Sequence, residues 1–132
     1  MKYVIDTHAL IWFLEGNSRL GANAKTIISN PDSLLVIPAT TLAEAVWIVE
    51  RGRTSIPSAR DVIAAVEADF RTTIYPLDKD VIEITTSLST INEMHDRQIV
   101  ATAIALANKG EAVQLLSCDT NIIASGLVPI IW

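Results

Sequence analysis

One thiol, Cys118, is all the cysteine this chain contains. That excludes a disulfide framework and any zinc site built on several thiolates. With only two histidines, His8 and His95, a mixed Cys/His cluster is disfavoured as well. A chain without disulfides fits a cytoplasmic setting most simply. Long apolar runs are missing too: the longest uncharged stretch, residues 120–132, falls well short of the roughly 18 residues a membrane helix needs. Apolar residues follow Lys2, but Asp6 and His8 interrupt them, and residues 9–14 are too short for the apolar part of a secretory signal. Ala22-Asn23-Ala24 mimics a cleavage site without a fitting segment before it, so Met1 is read as the start of the mature protein. Basic excess is lacking: ten Lys and Arg face fifteen Asp and Glu, for a net charge of -5. A nucleic-acid binder usually carries a basic footprint. Carboxylates gathered around divalent cations, however, produce the same imbalance, and setting four aside leaves the remainder near neutral. Position therefore matters more than the total.

What is present is apolar bulk. Half of the 132 residues are hydrophobic and 19% are charged, which excludes disorder and supplies one core for a single domain spanning 1–132. Residues 2–5 form a β-rich run ending at Asp6. The spacing predicts helices over 9–14 and 22–29, the second stopped by Asn30-Pro31. Leu34-Leu35-Val36-Ile37 is a short continuous apolar run closed by Pro38, which fits a parallel strand buried on both faces. A helix over 41–51 carries Leu42, Ala45, Val46 and Val49 at helical spacing. Another spans 58–70, a strand follows over 73–75, and Asp78 opens a helix that runs on to about Asn92. Asp96 opens an alanine-rich helix over 97–108. A fourth strand spans 114–117, one helical turn 122–124, and an edge strand 128–131. This alternation predicts a three-layer α/β/α fold around a mostly parallel sheet.

Four acids fall at matching places. Asp6 ends the first strand, Glu44 lies in the first turn after the second, Asp96 opens the alanine-rich helix, and Asp119 follows the fourth strand. In an open parallel sheet the strand C-termini and the following helix N-termini share one edge, and ligands bind there. Singly, each acid has a plain explanation. Asp6, Asp96 and Asp119 suit helix N-caps, and Thr41-Leu-Ala-Glu44 fits a capping box. Together they crowd like charges, which costs stability unless a cation neutralises them. The other acids, Asp61, Glu67, Asp69 and Glu83 among them, read as solvated helix faces or caps.

Oxygen ligands select Mg²⁺ or Mn²⁺ over zinc. Two such ions about 4 Å apart activate water and stabilise a leaving oxygen, which makes phosphodiester hydrolysis the natural reaction. Asp6 is the expected metal anchor. Glu44 and Asp96 complete the ligand set or orient water, and Asp119 supports a second ion. Thr7 is placed to hold Asp6 through its hydroxyl, or to cap its own helix.

The order Val-Ile-Asp6-Thr, Thr-Leu-Ala-Glu44-Ala, His-Asp96-Arg-Gln-Ile-Val-Ala-Thr-Ala and Leu-Ser-Cys-Asp119-Thr-Asn-Ile resembles the PIN-domain ribonucleases, over essentially the whole chain. The short length is similar to that of the VapC-type toxins of toxin–antitoxin pairs. The resemblance implies an endoribonuclease dependent on Mg²⁺ or Mn²⁺, commonly a homodimer, with a cognate antitoxin whose tail blocks the active-site groove. It also implies that Asp6, Glu44, Asp96 and Asp119 form the acidic pocket and bind the metal, with the match firmest for the first three.

Among the remaining residues, Arg51 and Arg53 read as exposed charges at a helix end and Arg97 as a partner for a carboxylate or RNA. His8 and His95 are expected to be structural, Cys118 to be a small buried residue, and Trp12 and Trp47 to pack in the core or to face a partner. A phospho-receiver domain needs an adjacent acid pair after strand one and a late lysine, and here Asp6 is followed by Thr7-His8 with no lysine after Lys109. An aspartyl-phosphate phosphatase needs Asp-x-Asp, and position 8 is His. A non-catalytic binding module is the remaining alternative, and the intact set of four acids speaks against it.

Overall fold

The computed structural model describes every residue from Met1 to Trp132. Five strands form one sheet in the order β3-β2-β1-β4-β5, and every neighbouring pair is parallel. They are β1 (Lys2–Ile5), β2 (Leu34–Pro38), β3 (Thr72–Tyr75), β4 (Val113–Leu116) and β5 (Ile130–Ile131). Helices α1 (Thr7–Glu15), α2 (Ala22–Ser29), α3 (Ala39–Glu50) and α4 (Ala59–Ala68) alternate with them, as do α5 (Lys79–Thr85), α6 (Met94–Asn108) and α7 (Thr120–Ser125). None of these helices is long and apolar enough to cross a membrane.

Successive side chains on a strand point to opposite faces, so a continuously apolar strand feeds two cores. Ile5, Leu35, Ile37 and Leu116 pack beneath Leu10, Ile28, Val49 and Val62 from the first four helices. Val4, Val36 and Leu115 pack against Val81, Ile99, Val100 and Ile122 from the last three. The result is the expected three-layer α/β/α arrangement. Burying each of these large side chains contributes roughly 1.5–3 kcal/mol. Small residues let α6 lie close to the sheet, with Ala101, Ala103 and Ala105 buried beside Ile99 and Leu106.

Several boundaries differ from the sequence reading. The third helix begins at Ala39, directly behind Pro38, rather than at position 41. The fifth ends at Thr85 rather than near Asn92. Beyond Ile82, the hydroxyls of Thr85, Thr86 and Ser87 each bond the carbonyl three residues earlier, competing with the helical ladder. The fourth stops at Ala68, so Asp69 is not a solvated helix face. It grips Arg71 at 2.7 Å, and that guanidinium also ties down the carbonyls of Ile28 and Asn30.

Candidate active site

Strands β1 and β4 are neighbours with Ile5 opposite Leu116, so their ends deliver Asp6 and Ser117 side by side. Asp6 is buried. Its Oδ1 accepts the Thr7 backbone N–H at 2.6 Å and its Oδ2 accepts the Ser117 hydroxyl at 2.6 Å. Burial nevertheless raises its pKa, outweighing both bonds. Ser117, itself fully buried, also accepts the Asp119 N–H at 3.1 Å. One hydroxyl thus joins two acids that are distant in sequence.

Helix α3 brings Glu44. The Thr41 hydroxyl bonds the Ile5 carbonyl at 2.8 Å, pinning the helix to β1. Thr7 donates its hydroxyl to Glu44 Oε1 at 2.7 Å. Two expectations are corrected by this. Thr7 holds Asp6 through its backbone N–H and spends its hydroxyl on Glu44. The Thr41-to-Glu44 capping box does not form, because the helix starts two residues earlier and Thr41 has a tertiary partner. Half-burial raises the Glu44 pKa, and the charges of Glu93 and Asp6 add to it, against the Thr7 bond and His95.

Asp96 enters from the first turn of α6, whose N-cap is Glu93 and not Asp96. Glu93 Oε2 accepts the Asp96 N–H at 2.7 Å, and its Oε1 lies 2.7 Å from His95 Nδ1. His95 Nδ1 is also 3.6 Å from Glu44 Oε2, so the histidine spans the two glutamates. Burial pushes the Glu93 carboxyl up, but its bonds from the His95 and Asp96 backbones and the His95 ring bring it below the usual range. Relieved of capping, the Asp96 carboxylate accepts no hydrogen bond from the protein. Its pKa is raised to about 7, first by burial and then by the charges of Asp119, Glu93, Asp6 and Glu44. A Thr40–Gln98 bond of 2.7 Å fastens α3 to α6, and so Glu44 to Asp96.

Asp119 does cap its helix, its Oδ1 accepting the N–H groups of Asn121 and Ile122 at 2.9 and 3.0 Å. The four sequence-selected acids therefore gather at one sheet edge and sense one another's charge. Sequence reasoning missed Ser117 and Glu93; the only local signal was an acid three residues ahead of Asp96. Other residues fall away from the chemistry. Arg97 directs its Nε to the Ile91 carbonyl rather than to a carboxylate. Cys118 is half-buried instead of buried, and burial together with the Asp6 charge raises its thiol pKa, keeping it protonated. Trp47 is 58% exposed, not packed in the core, and Arg51 stacks on its ring at 3.8 Å.

The donors are all hard oxygens, and several remain free of hydrogen bonds, including both on Asp96 and Oδ2 on Asp119. This set suits Mg²⁺ or Mn²⁺. As the side chains stand, no three His, Cys, Asp or Glu residues converge tightly enough to share one ion. Mutual repulsion keeps ionised carboxylates splayed, and a bound cation removes that repulsion.

Comparison with known proteins places this arrangement. The family model for the PIN domain matches residues 3–125. VapBC2 from Rickettsia felis, bound to a DNA fragment from its promoter, superposes with a TM-score of 0.72 at 14% identity, over 99% of this chain and 98% of that one. VapBC-1 from nontypeable Haemophilus influenzae gives 0.70 at 15% identity, covering 99% and 97%. The sarcin–ricin loop cleaving toxin VapC20 of Mycobacterium tuberculosis gives 0.68 at 19%, covering 96% of each chain. At these identities the structural likeness shows the shared fold. No curated protein sequence matches the chain.

Proposed function

The chain belongs to the PIN-domain family, and from that premise we propose that it is a Mg²⁺- or Mn²⁺-dependent endoribonuclease, the toxin of a toxin–antitoxin pair. The observation that carries the reading is Asp96, a carboxylate with no protein partner, held among Asp6, Glu44, Glu93 and Asp119 with its pKa raised to about 7. Such a group is unfavourable alone and favourable beside a doubly charged ion. The neighbours add support: a VapC structure described as an RNA-loop cleaving toxin, and complexes described as VapBC. By analogy the partners are RNA, a cognate antitoxin and a second copy of the chain, in the cytoplasm.

Asp6, Glu44, Asp96 and Asp119 would hold the metal. Once bound, the divalent ion supplies charge neutralisation at the phosphate and acidifies an attacking water. The chain's own contribution is positioning. Ser117 and the Thr7 N–H fix both Asp6 oxygens, while the Thr7 hydroxyl fixes one Glu44 oxygen. His95 and the Glu93 cap set the first turn of α6, and hence Asp96. Carboxylates held in this way lose little freedom when they receive a ligand, which is how orientation lowers a barrier.

The test is cleavage of a labelled total-RNA preparation. The expected outcome is cleavage with Mg²⁺ or Mn²⁺ that stops on adding EDTA. Cleavage that persists in EDTA, or none with either metal, contradicts the proposal. Growth arrest on expression without a partner supports the toxin role, and harmless expression of an active nuclease contradicts it.

A further inference from the structure

A chain of net charge -5 must recruit a polyanion somewhere, and its acidic pocket repels one. The side of α1 offers the opposite chemistry. Two surface cavities of about 470 and 720 Å³ share Trp12, Asn17, Ser18 and Arg19, and so form one groove. It starts at His8, in the first turn of α1 and two residues beyond Asp6, and reaches Gly21 and Lys25.

Arg19, Lys25 and Arg53 line this groove. All three are exposed and none makes an ion pair, whereas Lys2, Arg71 and Lys79 are paired with carboxylates elsewhere. Glu15 is the single carboxylate in the groove, and it is already engaged. The Ser55 N–H donates to it at 2.8 Å, the Ser55 hydroxyl at 3.1 Å and Asn17 Nδ2 at 3.3 Å. Aromatic rings run through the same place. His8 lies 5.3 Å from Trp12 at an interplanar angle of 49°, Trp132 meets Trp12 edge-on at 5.9 Å, and the Arg19 guanidinium is 6.0 Å from the Trp12 ring.

Unpaired cations interleaved with ring faces are what single-stranded nucleic acid requires: charge for the phosphates and flat surface for the bases. An acidic peptide would use the cations and leave the row of rings without a purpose. We propose that this groove, from His8 through Trp12 and Arg19 to Lys25 and Arg53, is the track that binds single-stranded RNA beside the acidic pocket. The inference rests on the ribonuclease reading for the identity of the strand. It assigns Arg19 and Arg53 to phosphates and Trp12 to a base.

The probe is a short fluorescein-labelled single-stranded RNA of mixed sequence, followed by anisotropy in EDTA so that binding is read without turnover. Arg19→Ala combined with Arg53→Ala is expected to weaken affinity about tenfold, uniformly across RNA sequences, and to lower the slope of log K against log salt by about 1.4. Arg60→Ala removes an exposed cation outside the groove and is expected to change affinity less than about twofold. Inorganic polyphosphate, which has charge but no bases, is expected to compete about tenfold less well than unlabelled RNA. An unchanged affinity and slope in the double variant overturns the track, as does polyphosphate competing equally. Loss of binding to a protein partner with RNA affinity retained also overturns it, and assigns the groove to a protein segment. If wild type binds RNA through Arg19 and Arg53 but cleaves none with Mg²⁺ or Mn²⁺, the track stands and the nuclease reading fails. If wild type cleaves RNA and the double variant cleaves it with unchanged KM, the nuclease reading stands and the track fails.

Discussion

Replacing Asp96 by Asn should stabilise the metal-free protein while removing its response to metal. The change keeps the shape and deletes one negative charge from a site that already holds Asp6, Glu44, Glu93 and Asp119. No cap is lost, because Glu93 caps α6. Asp96 is half-open to water, so solvent screening limits the relief to about 1 kcal/mol. Unfolding entropy of roughly 2.1 cal/mol/K per residue converts this, for a domain of this size, to about 4 °C in Tm. The sign of the pH dependence follows from the raised pKa. The folded chain holds the Asp96 proton more tightly than the unfolded chain, so this group lowers stability as pH climbs from about 4 to about 7. The gain in D96N should therefore be full at pH 8 and nearly absent at pH 5, where wild type is already protonated. With Mn²⁺ at a hundred times its Kd, wild type should gain about 2.7 kcal/mol, and the variant far less. Differential scanning calorimetry at both pH values, in EDTA and in Mn²⁺, reads all four conditions. A lower metal-free Tm in D96N, or an equal difference at pH 5 and pH 8, would refute the repulsion argument.

Three further outcomes follow from the same contacts. Asp6→Asn should reduce RNA cleavage by at least about 100-fold in a gel assay, with the circular dichroism spectrum retained. Thr7→Val leaves Glu44 Oε1 without its donor and should cost about 1 kcal/mol of stability and weaken Mn²⁺ binding, while Thr7→Ser restores both, as read by thermal melts and titration. Gly21→Ala places a methyl 2.5 Å from the Trp132 backbone, which cannot yield, so about 1–3 kcal/mol of destabilisation and a red-shifted tryptophan emission are expected.

The sheet was legible in the sequence because its strands are short, apolar and separated by helical periodicity, with Pro38 and Pro76 marking ends. The convergence of Asp6 and Asp119 was legible because parallel strands end at one edge. What the sequence left hidden was competition between equivalent local choices. Glu93 and Asp96 are both able to cap the α6 terminus, and Glu93 wins, freeing the residue that matters to the site. Thr41 has the spacing of a capping box, but the Ile5 carbonyl, far away in sequence, claims its hydroxyl. Ser117 is a serine among many until β1 and β4 become neighbours and place it on Asp6, 111 positions away. Trp47 shows helical spacing with apolar residues, yet one face of α3 is left uncovered and the ring projects outward under Arg51.

Titrating Mn²⁺ into the metal-free protein at pH 7 in a calorimeter tests the central claim most directly. The account predicts saturable uptake with release of protons from Asp96, and loss of that uptake in D96N. A flat titration, or equal uptake by both proteins, would contradict it.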